Sequence, residues 1–476
     1  MHSLTPREGG RAPGRSAALV VLFFALILPV GLSGVPASFG ATTPGAMRFT
    51  VVGRAAGAVI LQRNGVRVVA PGGRSVATIG GVPRYRVVKR TSRYYLLRPL
   101  GTQPATQADA ALRASILTAK AGAVITIPAG AFDLGSVRVP DGVTLQGAGP
   151  QLTWLKAHID FGSDQTFRDL KIGIGGASAV HNVRDATDTT FERCHFRGGG
   201  GRAWTYVIDL GSGAAAHGIK FKDCEVERNL GVQGSGADQG YNDITIWAAE
   251  GARVTDITFD GVHVGVSNGQ GGHDTGSPRF GIECYADAAA GPFAWQNITI
   301  RDSTLEAADL ETADFADAAT ARSGGVLIEG CTFKGGGYAS SHFKYTLNFE
   351  MPLGVVVRNN VFLRGLGSWG YILNVTDDGT KGGSGPGAIF TGNTFDLDAK
   401  NGIAPVSVGW PIVLMGYDNQ FTDNTVRCHY GTLPVVTLDR AFRSTVTGNV
   451  FDVGGRTPIA GTPGSTNNSV SPNSVR

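Results

Sequence analysis

Charged residues are scarce in this chain. Only 17% of its 476 residues are Asp, Glu, Lys or Arg, whereas 70 are glycine. This composition suits a fold with many turns and a long narrow core better than one built mainly from helices. Beyond residue 41 no segment is apolar enough to span a bilayer, so we expect no membrane span after that point.

Cysteine is also rare. Because the chain has five, at least one thiol stays unpaired in any compartment. Cys194 and Cys224 would lie roughly 4.8 Å apart at Cα, but parallel side chains hold their Cβ atoms too far apart for a good disulfide. We expect these two, together with Cys284, Cys331 and Cys428, to be buried thiols.

Several catalytic signatures are missing. The sequence contains no phosphate-binding loop, no metal-binding His pair and no nucleophile elbow. None of these motifs therefore identifies a mechanism.

A short pattern, in contrast, recurs at least ten times, about 31 residues apart on average. Each copy has an apolar residue, two polar residues, a small or amide residue, a polar residue and a second apolar residue, which predicts strand, tight turn, strand. One copy lies within Val355 to Phe362, and the others begin at Phe167, Phe191, Phe221, Phe259, Ile300, Ile328, Phe390, Phe421 and Val446. A period of this size indicates a solenoid of stacked coils.

The fourth residue of each copy is expected to point inward. It is Leu170, Cys194, Cys224, Val262, Ser303, Cys331, Asn360, Asn393, Asn424 and Asn449 in turn. Four successive Asn at one buried turn can hydrogen-bond each other's amides from coil to coil. This column resembles the asparagine ladder of right-handed parallel β-helices, the pectate lyase-like superfamily.

The resemblance implies an all-β fold, a right-handed parallel β-helix of about ten or more coils over residues 101–455. A capping box at Thr106 and Asp109 predicts a helix over 106–121, which would cover the open first coil. The segment from Val124 to Gly149, which contains IPAG and LQGAG, resembles the opening segment of the superfamily.

The two ends of the chain differ from the repeats. Residues 1–41 resemble a secretory signal, since three arginines precede an apolar run; an uncleaved membrane anchor is the alternative. We therefore expect a secreted, extracellular protein. The tail over 456–476 is rich in Pro, Ser, Thr, Asn and Gly, and is expected to be disordered.

Residues 42–100 form a separate, small basic module with alternating β-type runs and a hairpin signal at Asn64-Gly65. The stretch 47–100 holds eleven Lys or Arg and no acidic residue. It is either a contact for a polyanion or cell-wall polymer, or a small β unit with a solvated basic face. Nucleic acid is not expected, because no binding motif is present.

Each coil needs a third strand, and seven candidates precede copies of the repeat, beginning at Thr205, Tyr241, Arg279, Ser341, Gly370, Pro411 and Pro434. In the superfamily the outer face of this strand is the floor of the substrate groove. Long excursions from the repeat would form its walls: Asn229 to Gly240, Val266 to Pro278, Ala288 to Phe293 and Ala307 to Ser323.

Three functions remain open, and a polysaccharide lyase is preferred. In a lyase that cleaves a uronic polysaccharide by β-elimination, Lys344 or His342 would be the base and Arg279 would neutralise the developing charge. The residues Asp243, Glu283 and Asp287 could hold a Ca²⁺ ion, the one cofactor considered.

The second possibility is a glycoside hydrolase. Asp243 with Glu283, taken as neighbours one coil apart (roughly 4.8 Å), or Asp209 with Glu283, two coils apart (roughly 9.6 Å), would suit retaining and inverting pairs respectively. The third is a glycan-binding protein or adhesin without catalysis. Substrate contacts are assigned to Trp247, Tyr285, Asn348, Asn374 and Asp209. The polygalacturonase motifs are absent, so the subfamily stays open.

Overall fold

The structure is a computed structural model that describes most of the chain after residue 46. It covers the strands between 47 and 99 and residues 105–476, with gaps at 174–180, 184, 198–204, 212–214, 228–240, 249–250, 267–279, 287–294, 307–310, 316–323, 335–344, 351–353, 364–370, 377–386, 399–410 and 430. No helix in these ranges is long and apolar enough to cross a membrane.

The basic module folds as an antiparallel sheet that closes on itself. Its strands are β1 (Met47–Ala55), β2 (Ala58–Arg63), β3 (Val66–Pro71), β4 (Val76–Ile79), β5 (Val82–Arg90) and β6 (Tyr94–Pro99). Each strand pairs with the next, and β1 also pairs with β6. Arg63 is in register with Val66, as the hairpin predicted at Asn64-Gly65 requires, although Asn64 and Gly65 themselves lie outside the described residues. Closure removes the unpaired edges that a small sheet would otherwise expose.

One helix follows, α1 (Ala105–Leu117). It packs against β8 with Leu112 and Ile116 fully buried, and it ends four residues before the predicted limit of 121. Its proposed role as a cap on the first coil stays a prediction.

The remaining strands are short and numerous. In chain order they are β7 (Val124–Thr126), β8 (Gly130–Arg138), β9 (Thr144–Gln146), β10 (Thr153–Asp160), β11 (Thr166–Arg168), β12 (Lys171–Ile172), β13 (His181–Asn182), β14 (Thr190–Glu192), β15 (His195–Phe196), β16 (Thr205–Asp209), β17 (Ala215–His217), β18 (Lys220–Lys222), β19 (Glu225–Glu227), β20 (Tyr241–Ala248), β21 (Arg253–Asp260), β22 (His263–Val266), β23 (Phe280–Ala286), β24 (Trp295–Arg301), β25 (Thr304–Glu306), β26 (Glu311–Phe315), β27 (Gly324–Glu329), β28 (Thr332–Lys334), β29 (Tyr345–Glu350), β30 (Val356–Arg358), β31 (Val361–Leu363), β32 (Tyr371–Thr376), β33 (Ile389–Thr391), β34 (Thr394–Asp396), β35 (Ile412–Tyr417), β36 (Gln420–Thr422), β37 (Thr425–Arg427), β38 (Val436–Phe442), β39 (Thr445–Thr447), β40 (Val450–Asp452), β41 (Ile459–Gly461) and β42 (Ser474–Val475).

These strands form three parallel ladders, which is the architecture of a parallel β-helix. Ladder 1 contains β7, β9, β11, β14, β18, β21, β24, β27, β30, β33, β36 and β39, and β17 also pairs with β21. Ladder 2 contains β10, β12, β15, β19, β22, β25, β28, β31, β34, β37, β40 and β42. Ladder 3 contains β8, β10, β13, β16, β20, β23, β26, β29, β32, β35, β38 and β41. The long strand β10 belongs to both of the last two.

Ladders 1 and 2 come from the repeated pattern, whose first apolar residues stack in the core. The rings of Phe167, Phe191, Phe221 and Phe259 are nearly parallel, with centroids 5.2, 4.8 and 5.1 Å apart. This spacing is close to the distance of about 4.8 Å between hydrogen-bonded strands. Stacked rings and paired strands therefore impose the same register.

The inward column predicted from the fourth residue of the repeat is confirmed, since all of its members are buried. Asn393 shows the bonding. Its Nδ2 donates to the carbonyl of Val357 at 2.9 Å and to Oδ1 of Asn424 at 3.0 Å, while its own Oδ1 accepts the backbone N–H and the side-chain Nδ2 of Asn360 at 3.0 Å. The last four members of the column, Asn360, Asn393, Asn424 and Asn449, thus form a continuous asparagine ladder.

The five cysteines are buried free thiols, as expected. Sγ of Cys224 accepts the backbone N–H of Cys194 at 3.4 Å, so a thiol here takes the place of an asparagine amide. Burial raises the pKa of Cys331 to about 12, which keeps this thiol protonated and inert.

The expectation of a disordered tail over 456–476 is wrong. These residues add β41 to β38 and β42 to β40. Oδ1 of Asn473 accepts the backbone N–H of Asn449 at 3.0 Å and its side-chain Nδ2 at 2.9 Å. Nδ2 of Asn473 donates to the carbonyl of Val446. The polar composition suggested disorder, but the same amide chemistry extends the asparagine ladder by one coil.

We expect Asn393→Leu to lower the free energy of unfolding by roughly 2–4 kcal/mol, because it leaves the buried N–H groups of Asn360 without an acceptor. Thermal and urea unfolding followed by circular dichroism measure this. The exposed Thr425→Val is the control and should change stability by less than about 0.5 kcal/mol. Equal stability of both variants would show that the ladder does not hold the coils together.

We also expect the stability to depend on pH through His181. Its ring lies in the core 5.5 Å from that of Phe196, and burial lowers its pKa from 6.5 to about 4. Between these values the unfolded chain binds a proton that the folded chain does not, so stability falls as pH drops from 6.5 to 4, by about 3 kcal/mol in total. His181→Phe should remove this part of the pH dependence in unfolding measured from pH 7 to 4. An unchanged slope would contradict the assignment.

Candidate functional site

Ladder 3 is built from the third strand of each coil. Each of the seven predicted segments contributes a strand to it. One further strand, β26, lies inside the stretch from Ala307 to Ser323 that was expected to be a long excursion. It pairs with β23 on one side and β29 on the other. The ladder is therefore continuous where the sequence suggested a gap.

Register brings one polar residue from each of seven coils into a single row, which we call the polar row. It consists of Asn182, Asp209, Thr245, Glu283, Asp314, Asn348 and Asn374. Adjacent members lie on neighbouring parallel strands, about 4.8 Å apart at Cα. Ile244 and Ile246 on either side of Thr245 are in the core, so the row lies on the outer face of the sheet.

Much of this outer face is covered, whereas the sequence suggested an open floor. Asp209, Thr245 and Asn348 are 1%, 0% and 4% exposed, and Glu283 is half-buried. Interactions between charges are stronger in such a shielded place than in water. The exposure of two carboxylate residues of the row is described, Asp209 and Glu283. Of these, Glu283 is the more accessible to solvent.

Asp209 is held by two N–H donors. Its Oδ1 accepts the backbone N–H of Gly211 at 2.8 Å and the indole N–H of Trp247 at 3.0 Å. Glycine is needed at 211, because a Cβ there would lie 1.9 Å from Nε1 of Trp247. Trp247 was predicted to contact substrate, and that role stays a prediction. The structure shows that its indole positions a carboxylate of the row.

Asp243 does not pair with Glu283. The register partner of Glu283 on the preceding coil is Thr245, two residues further along β20. The interpretation that placed Asp243 and Glu283 one coil apart in one column is therefore wrong. Asp209 and Glu283 do share a column, two coils apart.

Other predicted site residues are described only in part or not at all. Arg279, Asp287, His342 and Lys344 lie outside the described residues, so their proposed roles stay predictions. Tyr285 pairs with Trp247 across β20 and β23, and Asn374 belongs to the polar row. In the described part of the chain, no three His, Cys, Asp or Glu side chains are grouped so as to hold a metal ion.

Asn182 and Asp314 are row members that sequence reasoning missed, and Asp314 is the acidic one. The segment Glu311–Phe315 is short and has only one large apolar residue, so it resembled a loop. The signal that could have revealed it is the repeat itself, since copies at Ile300 and Ile328 require a third strand in the coil between them.

We expect Gly211→Ala to displace Trp247 and break its bond to Asp209, with a loss of about 1–3 kcal/mol of stability from overpacking. Tryptophan fluorescence and thermal unfolding report the two effects. Gly461→Ala, whose added Cβ would meet its nearest atom at an ordinary 3.5 Å, is the control. If both variants behave like the unmodified protein, Trp247 does not pack against Gly211.

No family model and no curated protein matches the sequence. Similar solved structures include the A-module of a mannuronan C-5 epimerase from Azotobacter vinelandii, with 13% identity over 77% of this chain and 91% of that chain and a TM-score of 0.34. A PL6 alginate lyase in complex with a trisaccharide has 12% identity over 77% and 82%, with a TM-score of 0.39. A mutant tailspike protein of the E. coli bacteriophage HK620, in complex with a pentasaccharide, has 11% identity over 77% and 76%, with a TM-score of 0.45. At these identities and TM-scores the similarity supports no statement about the function of this chain.

Proposed function

We propose that the protein is a polysaccharide-cleaving enzyme whose substrate lies along the polar row of ladder 3. The observation that carries the proposal is the register pairing of Glu283 with Asp314 on adjacent coils. Register partners on parallel strands are about 4.8 Å apart at Cα. Carboxyl groups on residues at this Cα spacing can reach the same glycosidic bond, where they are suited to acid–base and nucleophilic chemistry.

Retaining glycosidases use two carboxyl groups about 5–5.5 Å apart. One donates its proton to the leaving glycosidic oxygen while the other attacks the anomeric carbon and forms a glycosyl ester. Water then hydrolyses the ester, and the first group takes up the proton of that water. Glu283 and Asp314 are the residues proposed for these two roles, and we place hydrolysis first because register partners can bring their carboxyl groups to such a separation.

The rest of the row would bind the polymer on either side of the cleaved bond. Asp209 and Thr245 precede Glu283, while Asn348 and Asn374 follow Asp314, one residue per coil. A linear polymer offers the same hydroxyl groups at regular intervals, and a row that repeats from coil to coil offers hydrogen-bonding groups in the same manner.

A lyase is the second candidate. Glu283, Asp314 and Asn348 follow one another in the row, and carboxylate and amide oxygens are ligands that Ca²⁺ accepts. A Ca²⁺ ion bound there would neutralise a uronic carboxylate of the substrate. Lys344 or His342, which precede β29 in the sequence, would take the proton in this mechanism.

We expect Glu283→Gln and Asp314→Asn each to lower turnover at least ~10²-fold, since each removes a group that transfers a proton or forms the ester. Thermal unfolding should change little. Glu329→Gln, an equivalent substitution on the exposed side of ladder 1, is the control and should keep full activity. Near-full activity in both row variants would rule out this site.

A panel of uronic and neutral polysaccharides separates the candidate functions. New reducing ends without ultraviolet absorbance indicate hydrolysis, and absorbance from an unsaturated end that disappears with EDTA indicates a Ca²⁺-dependent lyase. Binding without any product would leave the non-catalytic adhesin.

Export belongs to the same proposal, and N-terminal sequencing of secreted protein should find its first residue between Ala37 and Thr42.

A further inference from the structure

A second polar surface lies on ladder 2, away from the polar row, and centres on Trp154 near the start of β10. Its indole N–H donates to the carbonyl of Gly173 at 2.7 Å, which fixes the orientation of the ring. A Cβ on Gly173 would lie 2.8 Å from Cβ of Arg197, so glycine also lets Arg197 approach closely. The ring and its surroundings are thus held in one arrangement.

Three cations surround this ring. Nζ of Lys156 and Cζ of Arg197 each lie 4.6 Å from the ring centroid, and Nζ of Lys171 lies 5.8 Å from it. All four side chains are half-buried. We call Trp154, Lys156, Lys171 and Arg197 the Trp154 patch.

Among the described residues, one of the three cations has a carboxylate partner. Lys171 donates to Oε1 of Glu227 at 2.9 Å, and His195 contacts the same oxygen through Nε2 at 2.7 Å. Glu227 is 3% exposed; burial alone would raise its pKa, but the hydrogen bonds from His195 and Lys171 lower it below the usual value. This buried carboxylate therefore stays charged and holds Lys171 in place.

Lys156 and Arg197 have no carboxylate partner in the described part of the chain. Asp133 is the register neighbour of Lys156 but forms no ion pair with it. Because both charges lie 4.6 Å from the same ring centroid, they are separated by no more than about twice that distance, and on this half-buried surface they repel each other. Their cation–π contacts with Trp154 compensate only in part. An anionic group bound at the patch would reduce the repulsion.

We propose that the Trp154 patch binds the carboxylate of a uronic sugar in a glycan chain, at a site separate from the polar row. Lys156 and Arg197 supply charge-assisted hydrogen bonds to the carboxylate. Trp154 supplies an apolar edge for the C–H groups of the sugar ring. The choice of a glycan rests on the proposed function, whereas the need for an anion rests on the patch alone.

The test measures binding with the full-length protein carrying Glu283→Gln and Asp314→Asn, so that the ligand is not consumed. The probes are hexamers of galacturonate, mannuronate and guluronate, together with the methyl ester of each, which has the same sugars without the charge. Titration calorimetry should show binding of at least one acidic hexamer and at least about tenfold weaker binding of its ester. Raising the salt from about 0.05 to 0.5 M should weaken the acidic complex.

Adding Lys156→Ala and Arg197→Ala should weaken binding of the acidic hexamer about tenfold or more. The matched control adds Lys220→Ala and Lys222→Ala, which remove two exposed cations from ladder 1. The inference is overturned if no acidic hexamer binds, if ester and acid bind equally, or if both double variants lose the same affinity. Product formation by the unmodified enzyme is measured separately, so failure of the catalytic proposal is distinguishable from failure of this one.

Discussion

Pairing of each strand with its equivalent on the next coil is the constraint on which the rest of the molecule depends. Because parallel partners are about 4.8 Å apart, every residue position becomes a column along the coils. In the core these columns are stacked phenylalanine rings and the asparagine ladder. On the outside the same geometry produces the polar row and brings Trp154, Lys171 and His195 into one register position of ladder 2. The packing of the core and the candidate site therefore both follow from the same repeat.

The sign of the charge distinguishes the two proposed surfaces. In the polar row, Asp209 is almost fully buried and accepts two N–H groups, and half-buried Glu283 follows two coils later. In the Trp154 patch, a buried carboxylate at Glu227 fixes Lys171, while Lys156 and Arg197 have no carboxylate partner among the described residues. The first arrangement suits reaction at a neutral or acidic sugar, and the second suits recognition of an anion. A long acidic polymer could use both.

The sequence predicted what depends on short-range pattern. The strand, turn, strand repeat is local, so ladders 1 and 2, the buried cysteines and the asparagine ladder followed from it. Register across coils with long insertions cannot be counted from the chain, and this is why Asp243 was placed in the wrong column. Asp314 was missed because its strand is poor in aliphatic residues. The tail was taken for disordered because composition alone does not show that Asn473 continues a ladder of amides.

We propose that a glycan lies along the polar row with its reacting bond at Glu283 and Asp314. A crystal structure of the Glu283→Gln protein with an oligosaccharide from an active polysaccharide tests this most directly. We expect sugar residues that follow ladder 3 from coil to coil, with a glycosidic oxygen within about 3.5 Å of the side chain at 283 or 314. Sugar bound on ladder 1, or on ladder 3 without contact to either residue, would contradict it.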